Sequence, residues 1–211
     1  MEGSRGRPID QEKRAAIRKA AGHLFFTRGL DAVRLEDIAR EAGVSKMTIY
    51  NAFGDKEGLF DAVVSGVSDE MVAALHDVGF ADAPINVALQ AFGEELLSHL
   101  TTDDFLKIDS VLSAGSAEDL ANAHNFFDRG PGRVLAALAD YLEERKRQGE
   151  LEIDDPVQAA EDLVSLWQGQ WAMRRRFGRA KSMTESEINR RVAHGLSVFL
   201  TAHRWQENLK F

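Results

Sequence analysis

Apolar residues recur along this chain at helical rather than strand spacing. Ile17, Ala21, Leu24 and Phe25 fall at i, i+4, i+7 and i+8, one stripe down a helix predicted over residues 10–28 with Asp10 as its cap. Arg28-Gly29-Leu30 closes it, Gly29 suiting a left-handed C-cap. A short helix over 35–42 turns Ile38, Ala39 and Ala42 inward, and Gly43 interrupts it. Ser45 caps a third helix through Phe53, and Asp55 caps a long fourth over about 56–76.

Farther along, residues 79–84 form a linker, and Pro84 suits the first turn of a fifth helix over about 84–100. Thr102-Asp103-Asp104 starts a sixth, to about Ala114, and Ser116 caps an element whose pattern Gly130-Pro131-Gly132 breaks. Helical periodicity resumes from Arg133 to Gln148. Asp154-Asp155-Pro156 opens an eighth helix predicted over 156–177, and the capping box Thr184–Glu187 opens the ninth. Alternating strand patterns hardly appear, so the fold class is all-α with about nine helices.

The last two helices carry more apolar surface than one neighbour can cover. The ninth has Ile188, Val192, Gly195, Leu196, Phe199 and Leu200 in one stripe. The eighth has Ala160, Val164, Trp167 and Trp171 on one face, with Val157, Leu163, Leu166 and Met173 around the rest. A helix apolar on several faces must be covered on several sides. A second copy of the chain is an economical cover, giving a two-fold dimer through these helices.

Composition narrows the chemistry. With 44% apolar residues the chain can bury a full core, and with no cysteine it has neither disulfides nor thiol chemistry. Its six histidines, at 23, 76, 99, 124, 194 and 203, form no i, i+4 pair and no HExxH motif. Neither a Gly-rich phosphate loop nor a nucleophile elbow is present, so an all-helical enzyme is the weakest reading; no cofactor or metal is expected. No apolar run approaches the ~20 residues that span a bilayer, and no apolar run follows the charged N-terminus. A cytoplasmic protein with no membrane partner is expected.

Charge then separates two regions. The net charge of −8 is unevenly spread: residues 1–56 hold 11 Lys/Arg against 8 Asp/Glu, the remainder 15 against 26. A cationic head on an acidic body suits a protein that touches phosphates with its head only. Within that head, residues 35–53 meet the steric demands of a helix-turn-helix. Ala39 lets the helices approach, Gly43 takes the positive φ of a tight turn, and Val44 and Ile49 plug the angle between them. The third helix is then free to present its first residues to a major groove.

Residues about 8–60 closely resemble the DNA-binding domain of the TetR (tetracycline repressor) family. The resemblance rests on Ala20-Ala21 to Phe25 and Gly29, then on Leu35-Glu36-Asp37-Ile38-Ala39-Arg40-Glu41-Ala42-Gly43-Val44-Ser45. Thr48-Ile49-Tyr50, Phe53 and Lys56-Glu57-Gly58-Leu59-Phe60 complete it. It implies a DNA-binding domain over 1–55 and a ligand-binding and dimerisation domain over 56–211. It further implies that Tyr50 and Lys56 reach phosphates, Lys56 from a helix N-terminus. Lys46, Met47, Thr48 and Asn51 occupy the outward positions; Asn51 suits an adenine, Thr48 a base or phosphate, and Met47 a thymine methyl. The sequence departs from the family at Arg34, where a capping Ser or Thr is usual, and at Ala52, where a larger residue often stands. Arg34 is a cation beside the groove. Arg5 and Arg7 lie in an arm suited to a minor groove or simply to solvent.

In the same family the region between the fourth and eighth helices encloses a pocket for an apolar or amphipathic small-molecule effector. Candidate liners are Phe92, Leu96, Leu100, Phe105, Ile108 and Leu112, with Phe127, Trp167 and Trp171. A stripe of Phe and Leu is more often plain core. The expected function is a ligand-responsive repressor that binds double-stranded DNA, a near-palindromic operator, as a homodimer. The alternative is a constitutive or architectural DNA-binding protein with no effector.

Overall fold

The computed structural model describes residues 11–30, 32–77, 80, 82–102, 124 and 126–203. Nine helices are defined among them: α1 (Gln11–Arg28), α2 (Leu35–Glu41), α3 (Lys46–Phe53), α4 (Lys56–His76), α5 (Ile85–Leu100), α6 (Pro131–Arg147), α7 (Pro156–Gln168), α8 (Trp171–Arg176) and α9 (Glu185–Ala202). No strand occurs among the described residues. The expected sixth helix, over 102–114, lies outside the described residues apart from its first residue. The chain divides into two compact units within α4, between Gly66 and Val67, and Phe126 belongs with the first.

The first unit, the head, is built on short-range packing. Ile17 and Leu24 of α1, Ile38 of α2, Ile49 of α3 and Leu59 of α4 are fully buried in one cluster. Burying each side chain is worth about 1.5–3 kcal/mol. Phe25 and Phe60 meet edge to face, 5.7 Å between ring centres. Gly43 turns the chain between α2 and α3 at φ +66°, a region that excludes most side chains. Val44 then donates its backbone N–H to the Ala39 carbonyl at 2.9 Å, which fixes the corner.

The second unit, the body, packs α6 on α7, α7 on α9 and α9 on α5. Trp167 stands at its centre, fully buried. Two helical glycines make room for it: a Cβ on Gly93 would lie 2.9 Å from the indole and 2.7 Å from Val192, and one on Gly195 would lie 2.9 Å from the indole. Buried Arg145 ties the α4–α5 linker to α6. Its guanidinium donates to Glu150 Oε1 at 2.9 Å and to the carbonyls of Ala83 and Phe80 at 3.0 and 3.3 Å.

Two expectations need correction. The helix predicted over 156–177 is two helices, because Gly169 takes φ +49° and turns the chain between Trp167 and Trp171. A Cβ there would lie 2.8 Å from an Arg191 guanidinium nitrogen, so the turn also admits that cation. Helical residues 126–129 end in a turn at Gly130, and α6 begins at Pro131, two residues before its predicted start: Pro lacks the N–H that a first turn leaves unsatisfied anyway. The caps at Asp155 and Thr184 are as expected, Asp155 accepting from Val157 and Gln158, and Thr184 forming the full capping box with Glu187.

Candidate nucleic-acid interface

The interface begins with the cap of α3. Ser45 accepts from the Thr48 backbone N–H at 3.1 Å, and its hydroxyl lies 2.8 Å from that of Thr48. Ile49 is fully buried and pins the helix to the head's core. With Ile49 inside, Lys46, Met47, Tyr50 and Asn51 are outside and exposed, and Thr48 is half-buried. Met47 is 65% exposed. The six residues from Lys46 to Asn51 thus supply a cation, an apolar tip, a hydroxyl, a phenol and an amide on one short helix.

Flanking groups extend this face. Arg34 occupies the N-cap position of α2 with no capping side-chain bond, and is exposed. Lys56 opens α4, half-buried, with its ammonium donating to the Leu30 carbonyl at 3.1 Å. Ala52, the smaller residue at its position, leaves its carbonyl to accept from Arg14 at 2.9 Å, and the Arg14 guanidinium lies 4.6 Å from the Phe53 ring centre. These contacts brace the far end of α3 against α1.

One arrangement was not anticipated from sequence. The Lys46 ammonium donates to Glu36 Oε1 at 2.6 Å and lies 5.5 Å from the Tyr50 ring centre. This bond to Lys46 holds the Glu36 carboxyl below its usual range and raises the Lys46 ammonium above its own. Glu36 and Lys46 are ten positions apart on different helices, so no periodicity reveals their meeting. An acid in the first turn of a helix opposite a cation across the turn is the only available signal.

The body holds the other candidate site. A cleft of about 420 Å³ is lined by Met71, Phe80 and Phe92, with Glu70, Glu95 and His99 among its walls. Of the expected liners among the described residues, only Phe92 borders it. Leu96, Trp167 and Trp171 are buried, Leu100 is half-buried against the body's core, and Phe127 is exposed. Phe105, Ile108 and Leu112 lie outside the described residues. Burial lowers the pKa of the His99 imidazole, while Glu95 and Glu70 oppose that shift. Among the described residues no group of His, Cys, Asp or Glu is arranged to hold a metal.

A helix-turn-helix with an outward α3, carried on a separate helical body, defines a DNA-binding regulator of transcription. The family model for bacterial regulatory proteins of the tetR family matches residues 17–63, and that for the C-terminal domain of AefR-like transcriptional repressors matches residues 87–204. The chain belongs to the TetR family. It is 30% identical to the HTH-type transcriptional regulator YdeS of Bacillus subtilis, over 78% of this chain and 80% of that protein. A TetR-family regulator structure from Mesorhizobium loti superposes with a TM-score of 0.75 at 25% identity, covering 93% of this chain and 99% of its own. The flavonoid-responsive regulator FrrA superposes at 0.64 with 28% identity, covering 92% and 97%. Membership places the protein among regulators of transcription and not among enzymes.

Proposed function

We propose that the protein is a ligand-responsive transcriptional repressor. On this reading residues 1–55 bind a near-palindromic operator, and residues 56–211 dimerise and receive an effector. The observation that carries it is the outward strip from Lys46 to Asn51 on a capped helix whose inner residue, Ile49, is fully buried. Asn51, Thr48, Met47 and Lys46 contact base edges; Tyr50, Arg34 and Lys56 contact phosphates. Dimerisation runs through α7 to α9, where Val157, Leu166, Met173 and Val198 are exposed apolar residues. A two-fold pair sets its recognition helices about 34 Å apart, one turn of duplex.

The effector is an apolar or amphipathic small molecule, and the cleft beside Phe92 is one place for it. Its carboxylates suit a ligand carrying positive charge. FrrA, by its name a flavonoid-responsive regulator, supports an effector-controlled mechanism for a chain of this shape. A ligand favouring one arrangement of the dimer by ~1–3 kcal/mol changes operator occupancy 5- to 150-fold. The fourth helix carries that change from body to head. No helix among the described residues is long and apolar enough to cross a membrane, and the cytoplasm is the proposed location.

Selection of bound DNA from a random pool tests this reading. The expected product is a pair of inverted half-sites one helical turn apart. Asn51→Ala relaxes preference at one base pair, whereas Tyr50→Phe and Lys56→Ala weaken all sequences alike. A pool that stays unenriched at low salt overturns the proposal.

A further inference from the structure

The charged groups on the face that carries α3 are not equally available to DNA. Arg40 pairs with Asp37 within α2, and Lys46 pairs with Glu36 across the turn at 2.6 Å. Arg34 lies near enough to Glu36 to act on its charge but makes no ion pair with it, and Lys56 meets a carbonyl, a neutral group. Two cations are therefore neutralised by carboxylates of α2, while Arg34 and Lys56 have no carboxylate partner among the described residues. The Lys46–Glu36 pair is not enforced by burial, since the side chains are 44% and 58% exposed. It forms at the surface, on the side of the head that meets the duplex.

Resting on the DNA-binding reading, we infer that Glu36 is a specificity-determining residue: it withdraws Lys46 from sequence-independent attraction to phosphates. A lysine that neutralises a phosphate releases a condensed counterion and adds about 0.9 to the slope of log affinity against log salt. Lys46 brings no such term while its carboxylate travels with it. If the ammonium moves to a phosphate, Glu36 is left beside the backbone and draws a cation back, and the exchange nets to zero. The ammonium has two further N–H donors, so a base acceptor remains within its chemistry. Glu36 thereby lowers affinity for random DNA and leaves base reading by α3 in place. Such a residue acts on the ratio of specific to non-specific binding rather than on either alone.

The test is a salt titration of the full-length protein on a random-sequence duplex, for the natural chain, Lys46→Gln, Glu36→Gln and the double variant. Both positions are exposed, so the fold tolerates the changes, and circular dichroism checks this. Lys46→Gln alone leaves Glu36 without its ammonium and does not steepen the slope. Glu36→Gln steepens it by about 0.9 per protomer, so that affinity lost between roughly 50 and 200 mM salt grows about threefold per protomer. The double variant returns to the natural slope, and Glu36→Gln narrows the preference for selected over random DNA. A slope that stays unchanged with Glu36→Gln, or one that stays steepened when Lys46→Gln is added to it, overturns the inference and leaves the DNA-binding reading standing. Failure of every variant to bind any duplex at low salt overturns both.

Discussion

Glycine does opposite work at Gly43 in the head and at Gly93 and Gly195 in the body. In the head, Gly43 is needed for its backbone: φ is +66°, and a Cβ there would meet nothing within 4 Å. In the body, Gly93 and Gly195 sit in ordinary helix, and the space a Cβ would take is filled by Trp167. The head is thus specified by the turns between short helices, and its outer surface is left for chemistry. The body is specified by volume, with one indole and the residues shaped around it. At Gly43 the chain resists a change of conformation; at Gly93 and Gly195 it resists a change of volume.

The largest expected effect tests the volume half of this contrast. Trp167→Ala should cost about 3–5 kcal/mol in chemical denaturation, the range for removing a fully buried large side chain. A loss below about 2 kcal/mol would mean the body is not packed around the indole. Next, Gly195→Ala should cost about 1–3 kcal/mol by overpacking, and Gly43→Ala about 1–2 kcal/mol by forcing a side chain into left-handed backbone. Asparagine separates the two causes. At position 43 it should recover much of the loss, since it tolerates that backbone; at position 195 it should do worse than alanine. Equal behaviour at the two sites would break the comparison.

A smaller effect belongs to the head. Ser45→Ala removes the acceptor for the Thr48 N–H and should cost about 1 kcal/mol, with Ser45→Asp retaining most of the stability. The smallest concerns acid. Because burial lowers the folded-state pKa of His99, the unfolded chain takes up its proton first as pH falls. The stability concerned is complete above the ordinary imidazole range and declines as pH drops through it toward the folded value. Denaturation curves of His99→Gln should lose less stability between pH 7 and pH 5 than those of the natural chain.

The same contrast explains what could be read from the sequence. The head was legible because its determinants are local. Ala39, Gly43, Ser45 and Ile49 lie within eleven positions, and each has a steric task that few other residues perform. Its ion pair was not, because Glu36 and Lys46 meet through the corner that those residues create. In the body the helical stripes located α5, α7 and α9, but Gly169 sits inside an apolar run whose period continues past it. Pro131 likewise has two meanings, breaker or first turn, and only the neighbours decide. The effector site stayed open because a stripe of Phe and Leu is the same in a packed core and a lined cleft. Phe92 serves both, buried against Trp167 at 6.3 Å between ring centres while one edge borders the cleft.

The break at Gly169 has a consequence for how this part of the chain can vary. In an unbroken helix each inserted or deleted residue rotates everything downstream by about 100°. Here Trp171 is held instead by a bond from its indole N–H to the Lys181 carbonyl, 3.1 Å away. The segment from Trp171 to Lys181, which includes the exposed Phe177, is closed by this bond and by one from Arg175 to the Ala180 carbonyl. A change of length after Gly169 should therefore leave α7 unrotated and Trp167 in its place.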